Sequence, residues 1–340
     1  MKKQYFFLIF LLFRTIVLGQ EITNVSNVAT TGGSFLEIEV GGRAAGMGGA
    51  FVAVANDATT IYWNPAGMTQ LPRSEVIAVH ANWIAGIKFD FAGIVLPLGN
   101  IGTVGASITT LNMGEMMVRT VARPEGTGEK FSASDIALGI SFARSLTDRF
   151  SIGVNAKYIR QAIWHSSASS VAIDVGTLYI SPFKDLKIGV SVSNFGGDLK
   201  MEGRDALVKH DIDPVFYGNN NKINAYLETE SWPLPLIFRI GLAIDVWKNE
   251  TSRITLATDA IHPNNNYEYL NIGAEYIFKN LVNLQLGYKS LFLKEGEEGL
   301  TAGAGLNYKL TSVTYLKLNY TYTDFNRLNN TQTLAVAISF

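Results

Sequence analysis

The chain has 340 residues, a formal net charge of −1 and no cysteine. A near-neutral balance supplies no field for nucleic acid or another polyanion, and the missing thiols exclude disulfides, thiolate chemistry and a lipidated N-terminal cysteine. Hydrophobic residues make up 47% of the chain, yet beyond the N-terminus they never form the run of about twenty that a spanning helix needs.

Residues 1–19 read as a secretory signal peptide: Lys2 and Lys3, an apolar run Tyr5–Phe13, then the small Gly19. Arg14 interrupts the apolar region. The alternative, a membrane anchor, is too short to span before that charge. Residues 20–74 lack any strand-like alternation. They hold the small-residue run Gly41–Ala50, then Phe51-Val52-Ala53-Val54-Ala55, Asn56-Asp57 and Tyr62-Trp63-Asn64-Pro65-Ala66-Gly67-Met68. Small residues permit close backbone approach and Ala-rich stretches favour short helices. Asp57 reads as a helix N-cap and Asn64-Pro65 as a turn.

From Glu75 to the end, apolar residues recur at every second position, as in Leu334, Val336, Ile338 and the terminal Phe340. This period predicts about fourteen strands, at 75–83, 86–97, 101–112, 133–146, 149–163, 169–181, 185–195, 235–247, 251–261, 267–278, 281–290, 298–309, 312–324 and 331–340. Short connections at 98–100, 146–149, 182–184, 248–251, 279–280 and 310–311 alternate with a second set. That second set is mostly longer: 113–132, 163–169, 196–234, 291–297 and 325–330, with 84–85 and 262–266 short. Short turns on one side and long loops on the other, with an even strand count, are the pattern of an all-β transmembrane antiparallel β-barrel in the bacterial outer membrane. The faces agree. Phe238, Ile240, Leu242, Ile244 and Val246 alternate with Arg239, Gly241, Ala243 and Asp245, so the first set faces lipid and the second the lumen. Inward charges of both signs, among them Lys157, Asp174, Arg239, Asp245, Arg253, Asp259, Glu275, Lys289 and Lys317, fit an internal salt-bridge network that engages Arg43. A one-signed selectivity ring would look different.

The segment 20–74 is thus expected to enter the barrel from the periplasmic end as a plug or hatch, with 75–340 as the barrel. Gly42-Arg43-Ala44-Ala45-Gly46-Met47-Gly48-Gly49-Ala50-Phe51, the Asn56-Asp57 pair and Trp63-Asn64-Pro65-Ala66-Gly67 closely resemble the N-terminal signature of FadL-like outer-membrane barrels, nearest to their PorV/PorQ branch. The resemblance implies a fourteen-stranded barrel with an N-terminal hatch whose signature residues include Arg43, Asn64, Pro65, Ala66 and Gly67. FadL members pass hydrophobic molecules across the outer membrane. PorV members serve type IX secretion, holding exported cargo at the translocon.

Two outward loops supply candidate contacts. In 113–132, Met113, Met116 and Met117 form an apolar patch that reads either as an adaptable binding surface or as a cap folded over the barrel mouth. In 196–234, Phe216, Tyr217, Tyr226 and Trp232 stand among asparagines, a composition suited to protein recognition or to self-packing. Catalysis finds no footing. His80, His165, His210 and His262 are dispersed, and no nucleophile elbow occurs. Asp211 and Asp213 beside His210 fall short of a calcium loop. We therefore expect no enzyme, no cofactor and no metal. The expected partners are outer-membrane lipid and either secretion-machinery proteins and exported cargo or a hydrophobic small molecule.

Overall fold

The structure is a computed structural model that describes residues 27–211, 215, 222–294 and 296–340. The signal segment 1–19, Asp213, Phe216 and Tyr217 lie outside them. The strands are β1 Glu75–Asn82, β2 Lys88–Pro97, β3 Thr103–Met117, β4 Lys130–Thr147, β5 Phe150–Ile163, β6 Ser166–Ile180, β7 Lys187–Gly196, β8 Ile237–Lys248, β9 Ser252–Pro263, β10 Tyr269–Phe278, β11 Val282–Leu291, β12 Leu300–Lys309, β13 Tyr315–Asp324 and β14 Asn330–Ser339. Each pairs antiparallel with its neighbour in sequence, and Glu75–Asn82 pair with Ser339–Gln332 to close a 14-strand barrel. Closure matters because an open sheet edge in hydrocarbon would leave a row of unpaired amides and carbonyls. The two faces segregate as the alternation requires: Phe238, Ile240, Leu242 and Val246 are exposed on the outside, whereas Arg239 and Ala243 are buried.

The structure differs from the sequence expectation at the extracellular rim. β3 runs on to Met117 and β4 starts at Lys130, so Met113, Met116 and Met117 lie on strand, not in a loop. A bulge between Asn112 and Glu115, with Gly114 at φ 72°, carries the hairpin outward, and Lys130 pairs with Glu115 at 2.8 Å. Past the lipid boundary nothing demands an apolar outer face, so polarity there imitates a loop. β6 likewise starts at Ser166, because Trp164 at φ 50° turns the chain tightly.

Residues 32–74 run the full height of the lumen. Gly32 N–H donates to Pro233 O at 2.9 Å, at the long-loop end, and Phe340 N–H donates to Ser74 O at 2.9 Å, at the short-turn end. Between them lie α1 Gly42–Gly46, α2 Thr60–Trp63 and 3-10 turns at Ser34–Glu37 and Pro65–Gln70. α2 takes Thr59, not Asp57, as its N-cap. The Asp57 carboxylate instead accepts from Thr59 N–H at 3.0 Å and meets Arg43. The hydrophobic core sits inside the barrel: Val40, Met47, Phe51, Val52 and Met68 are wholly buried. The wall makes room for them with cross-strand glycine pairs, Gly153 with Gly176, Gly189 with Gly241 and Gly273 with Gly287. A Cβ at Gly153, Gly189 or Gly287 would collide with hatch backbone at Ala66, Val52 or Gly48. These three ledges are where the hatch main chain rests on the wall.

Gly287→Val should push the Met47–Gly48 turn off its ledge, lowering the melting temperature and exposing the hatch to protease. Gly299→Ala, whose added Cβ meets nothing nearer than 3.9 Å, should change neither. A cysteine at Val28 should react with a membrane-impermeant maleimide on intact cells, and one at Arg73 should not.

Candidate functional site

Arg43 is the pivot of the hatch. α1 presents its guanidinium to the wall, where Nε donates to Glu275 Oε1 at 2.6 Å and Nη2 to Glu275 Oε2 at 2.7 Å. Nη1 donates to Asn56 Oδ1 at 2.5 Å and to Asp57 Oδ2 at 3.3 Å, and the Phe51 ring lies 5.3 Å from the guanidinium carbon. The Glu275 side chain is fully buried. A planar fork that meets a carboxylate through parallel hydrogen bonds fixes position as well as charge. One ion pair thus ties α1 and the Asn56-Asp57 turn to β10.

Polar wall residues complete the seat. Asp259 Oδ2 accepts from Phe51 N–H at 2.8 Å and from Val52 N–H at 2.9 Å. Glu75 Oε1 accepts from Ala58 N–H at 2.8 Å, and Thr301 Oγ1 donates to Gly46 O at 3.0 Å. Asn64 Nδ2 donates to Thr177 O and to Val52 O, each at 3.0 Å, while Asn64 Oδ1 accepts from Ala66 N–H at 3.1 Å. Pro65 lies against the Gly153/Gly176 ledge, and a Cβ on Gly67 would strike Ala55. Asn64, Pro65, Ala66 and Gly67 are all buried. Asn64, Pro65, Ala66 and Gly67 thus anchor the hatch to β5 and β6. Other inward charges pair too: Lys157 with Asp174 at 2.8 Å and Lys289 with Glu298 at 2.6 Å and Glu39 at 3.2 Å. Near the extracellular mouth, burial raises the Glu37 carboxyl above its ordinary range against the pull of its Asn265 hydrogen bonds.

The space between hatch and wall is tight at one level and open at another. Among Phe35, Leu36, Ile61 and Phe91 it shrinks to a cavity of ≈ 20 Å³, no more than one water occupies. Larger cavities, ≈ 170 and ≈ 450 Å³, lie toward the periplasmic turns, and polar and charged groups dominate their linings.

At the extracellular end the predicted contact residues separate. Met113 and Met117 are exposed, whereas Met116 is half-buried opposite Phe131, whose ring lies 5.9 Å from Trp164. Trp232 pairs with Leu199, and Leu199 and Leu234 turn inward onto Gly33 of the hatch. Tyr226 belongs to a different unit, a hairpin of Leu207–His210 with Ile223–Tyr226. There Tyr226 is 71% exposed opposite the exposed Leu207, and exposed Leu227 follows it. The sequence reading missed Leu207 and Leu227, whose only signal was their apolar character in a polar loop. It also missed the His165–Asp205 contact at 3.0 Å that holds this loop to the β5–β6 turn. Among the described residues no group of three or more His, Asp or Glu is placed to hold a metal.

A closed fourteen-strand barrel, apolar outside and holding the segment ahead of β1 in its lumen, defines an outer-membrane β-barrel. Residues 21–209, over half of the chain, match the family described as type IX secretion system protein PorV. The chain belongs to that family. No curated protein matches it. Among solved structures it is similar to the CymD monoaromatic hydrocarbon channel, at 12% identity and TM-score 0.56, covering 89% of this chain and 97% of that one. It is also similar to the Ralstonia pickettii toluene transporter TbuX, at 12% identity and TM-score 0.54, covering 88% of this chain and 97% of that one. A Pseudomonas aeruginosa FadL homologue is similar at 12% identity and TM-score 0.52, with 88% and 96% covered. These likenesses establish the fold.

Arg43→Ala leaves the Glu275 carboxylate buried without its partner and should cost about 3–5 kcal/mol of stability. Arg43→Met with Glu275→Leu should cost less than the single change, measured by denaturant unfolding in detergent.

Proposed function

We propose that this protein acts in type IX secretion as a closed outer-membrane barrel that engages an exported protein or a secretion component through its extracellular loops. The observation that carries this reading is the pair of a narrow space beside the hatch, ≈ 20 Å³ among Phe35, Leu36, Ile61 and Phe91, and the exposed Leu207, Tyr226 and Leu227 on one loop hairpin. A passive carrier of hydrophobic molecules needs a continuous apolar route, and here the corresponding side chains pack against each other. An exposed apolar cluster on a surface loop suits a partner, and the aromatic Tyr226 suits an anchor. The family match over 21–209 supports the same reading.

The loop that carries this hairpin also packs Leu199 and Leu234 on the hatch. A partner gripping the loop therefore pulls against a seated hatch, which gives the loop a rigid base.

A pull-down of the tagged protein from its native host in gentle detergent, with mass spectrometry of bound proteins and extracted lipids, tests the reading. Secretion components or exported proteins should accompany the unmodified protein and fall at least about tenfold with Leu207→Ser, Tyr226→Ala and Leu227→Ser combined. A lone barrel carrying an apolar small molecule would replace the reading with passive transport of hydrophobic molecules.

A further inference from the structure

Beneath the hatch, the periplasmic turns enclose a cavity of ≈ 450 Å³. Val54 and Ile180 give it an apolar side, Lys187 and Arg253 a cationic one, and Lys184 and Lys248 stand exposed at its rim. The volume falls within the range of small-molecule pockets, about 300–1,000 Å³. Lys187 and Arg253 are both half-buried. Among the described residues neither forms an ion pair or a side-chain hydrogen bond, and Arg253 Nε is buried with no hydrogen-bond partner.

The nearest wall acid, Asp245, attracts Lys187 but among the described residues forms no ion pair with it or with Arg253. Asp245 accepts from Thr255 Oγ1 at 2.7 Å. Lys187 sits opposite Ala243 in the β7–β8 ladder, so Asp245 is its diagonal neighbour, about 7–8 Å away by ladder geometry. Asp185 is exposed at the rim. The other acids of the neighbourhood are already engaged: Glu275 and Asp57 by Arg43, and Glu75 by Lys317. A cation taken partly out of water loses hydration that only a counter-charge or hydrogen bonds restore. Two of them converge here on one open space.

We propose that this vestibule is a binding site for an anion that carries a carboxylate or phosphate group on a small apolar body and enters from the periplasm. The Arg253 guanidinium supplies a planar fork matched to such oxygens and Lys187 a compact charge, while Val54 and Ile180 cover the apolar part. The site would take such an anion whether or not the loops engage a secretion partner.

Isothermal titration of the purified full-length protein in neutral detergent with phenyl phosphate tests this, with inorganic phosphate and phenol as its separate halves. We expect saturable one-site binding of phenyl phosphate, tighter than either half. Lys187→Gln and Arg253→Gln should each weaken it at least about tenfold, and Arg253→Lys should weaken it less. Asp245→Asn should tighten binding by about threefold, since it removes the competing acid, and a misfolded variant cannot give that result. Absence of saturable binding, or Gln variants that bind as tightly as the unmodified protein, would overturn the proposal. Repeating the titration in phosphatidylcholine nanodiscs with and without phosphatidylglycerol separates the sources. Competition by phosphatidylglycerol identifies a lipid headgroup as the natural occupant, and an unchanged affinity identifies a soluble anion.

Discussion

Irregular backbone buried inside a membrane barrel must find a partner for every amide and carbonyl, because neither lipid nor bulk water is there to supply one. That requirement organises this molecule. Fourteen strands enclose more space than their own side chains fill, and the chain fills it with main chain brought close to the wall. Glycine ledges give the approach, and Asp259, Thr301 and Asn64 answer the hatch's polar groups. The Arg43–Glu275 fork locks the register between them. Inward polar residues that would line a channel elsewhere serve here as ligands of a protein segment.

Much of this was legible in the sequence, for physical reasons. Lipid imposes a strict two-residue period on the wall, so strands and their faces could be read from Phe238 to Val246 or from Leu334 to Phe340 without a structure. Small residues from Gly41 to Ala50 announced a segment built for close packing. Outside the bilayer the constraint lapses, and so did legibility: the strand ends at Met113–Met117 looked like loop, and the Trp164 turn looked longer than it is. The partner of Arg43 lies 232 residues away. Alternation places Glu275 in the lumen and the plug reading places Arg43 there, but neither says which charge meets which. The glycine ledges escaped notice for a similar reason, since a period marks a residue's face and not what rests against it.

The two ends of the lumen differ in character. At the extracellular end the long loop reaches down to Gly32 and Gly33 through Pro233, Leu199 and Leu234, so loop and hatch form one packed unit that holds an exposed apolar hairpin above it. At the periplasmic end the wall ends in charged turns around water-accessible space. A family tie to secretion and a fold shared with hydrocarbon channels are therefore compatible.

Planar-bilayer recording of the unmodified protein tests the central claim most directly. A hatch seated through the Arg43–Glu275 pair and the glycine ledges predicts that inserted barrels give no resolvable current steps over a wide voltage range. Stable, repeated steps of the size expected from an open fourteen-strand lumen would show that the hatch does not close the barrel, and would contradict the account.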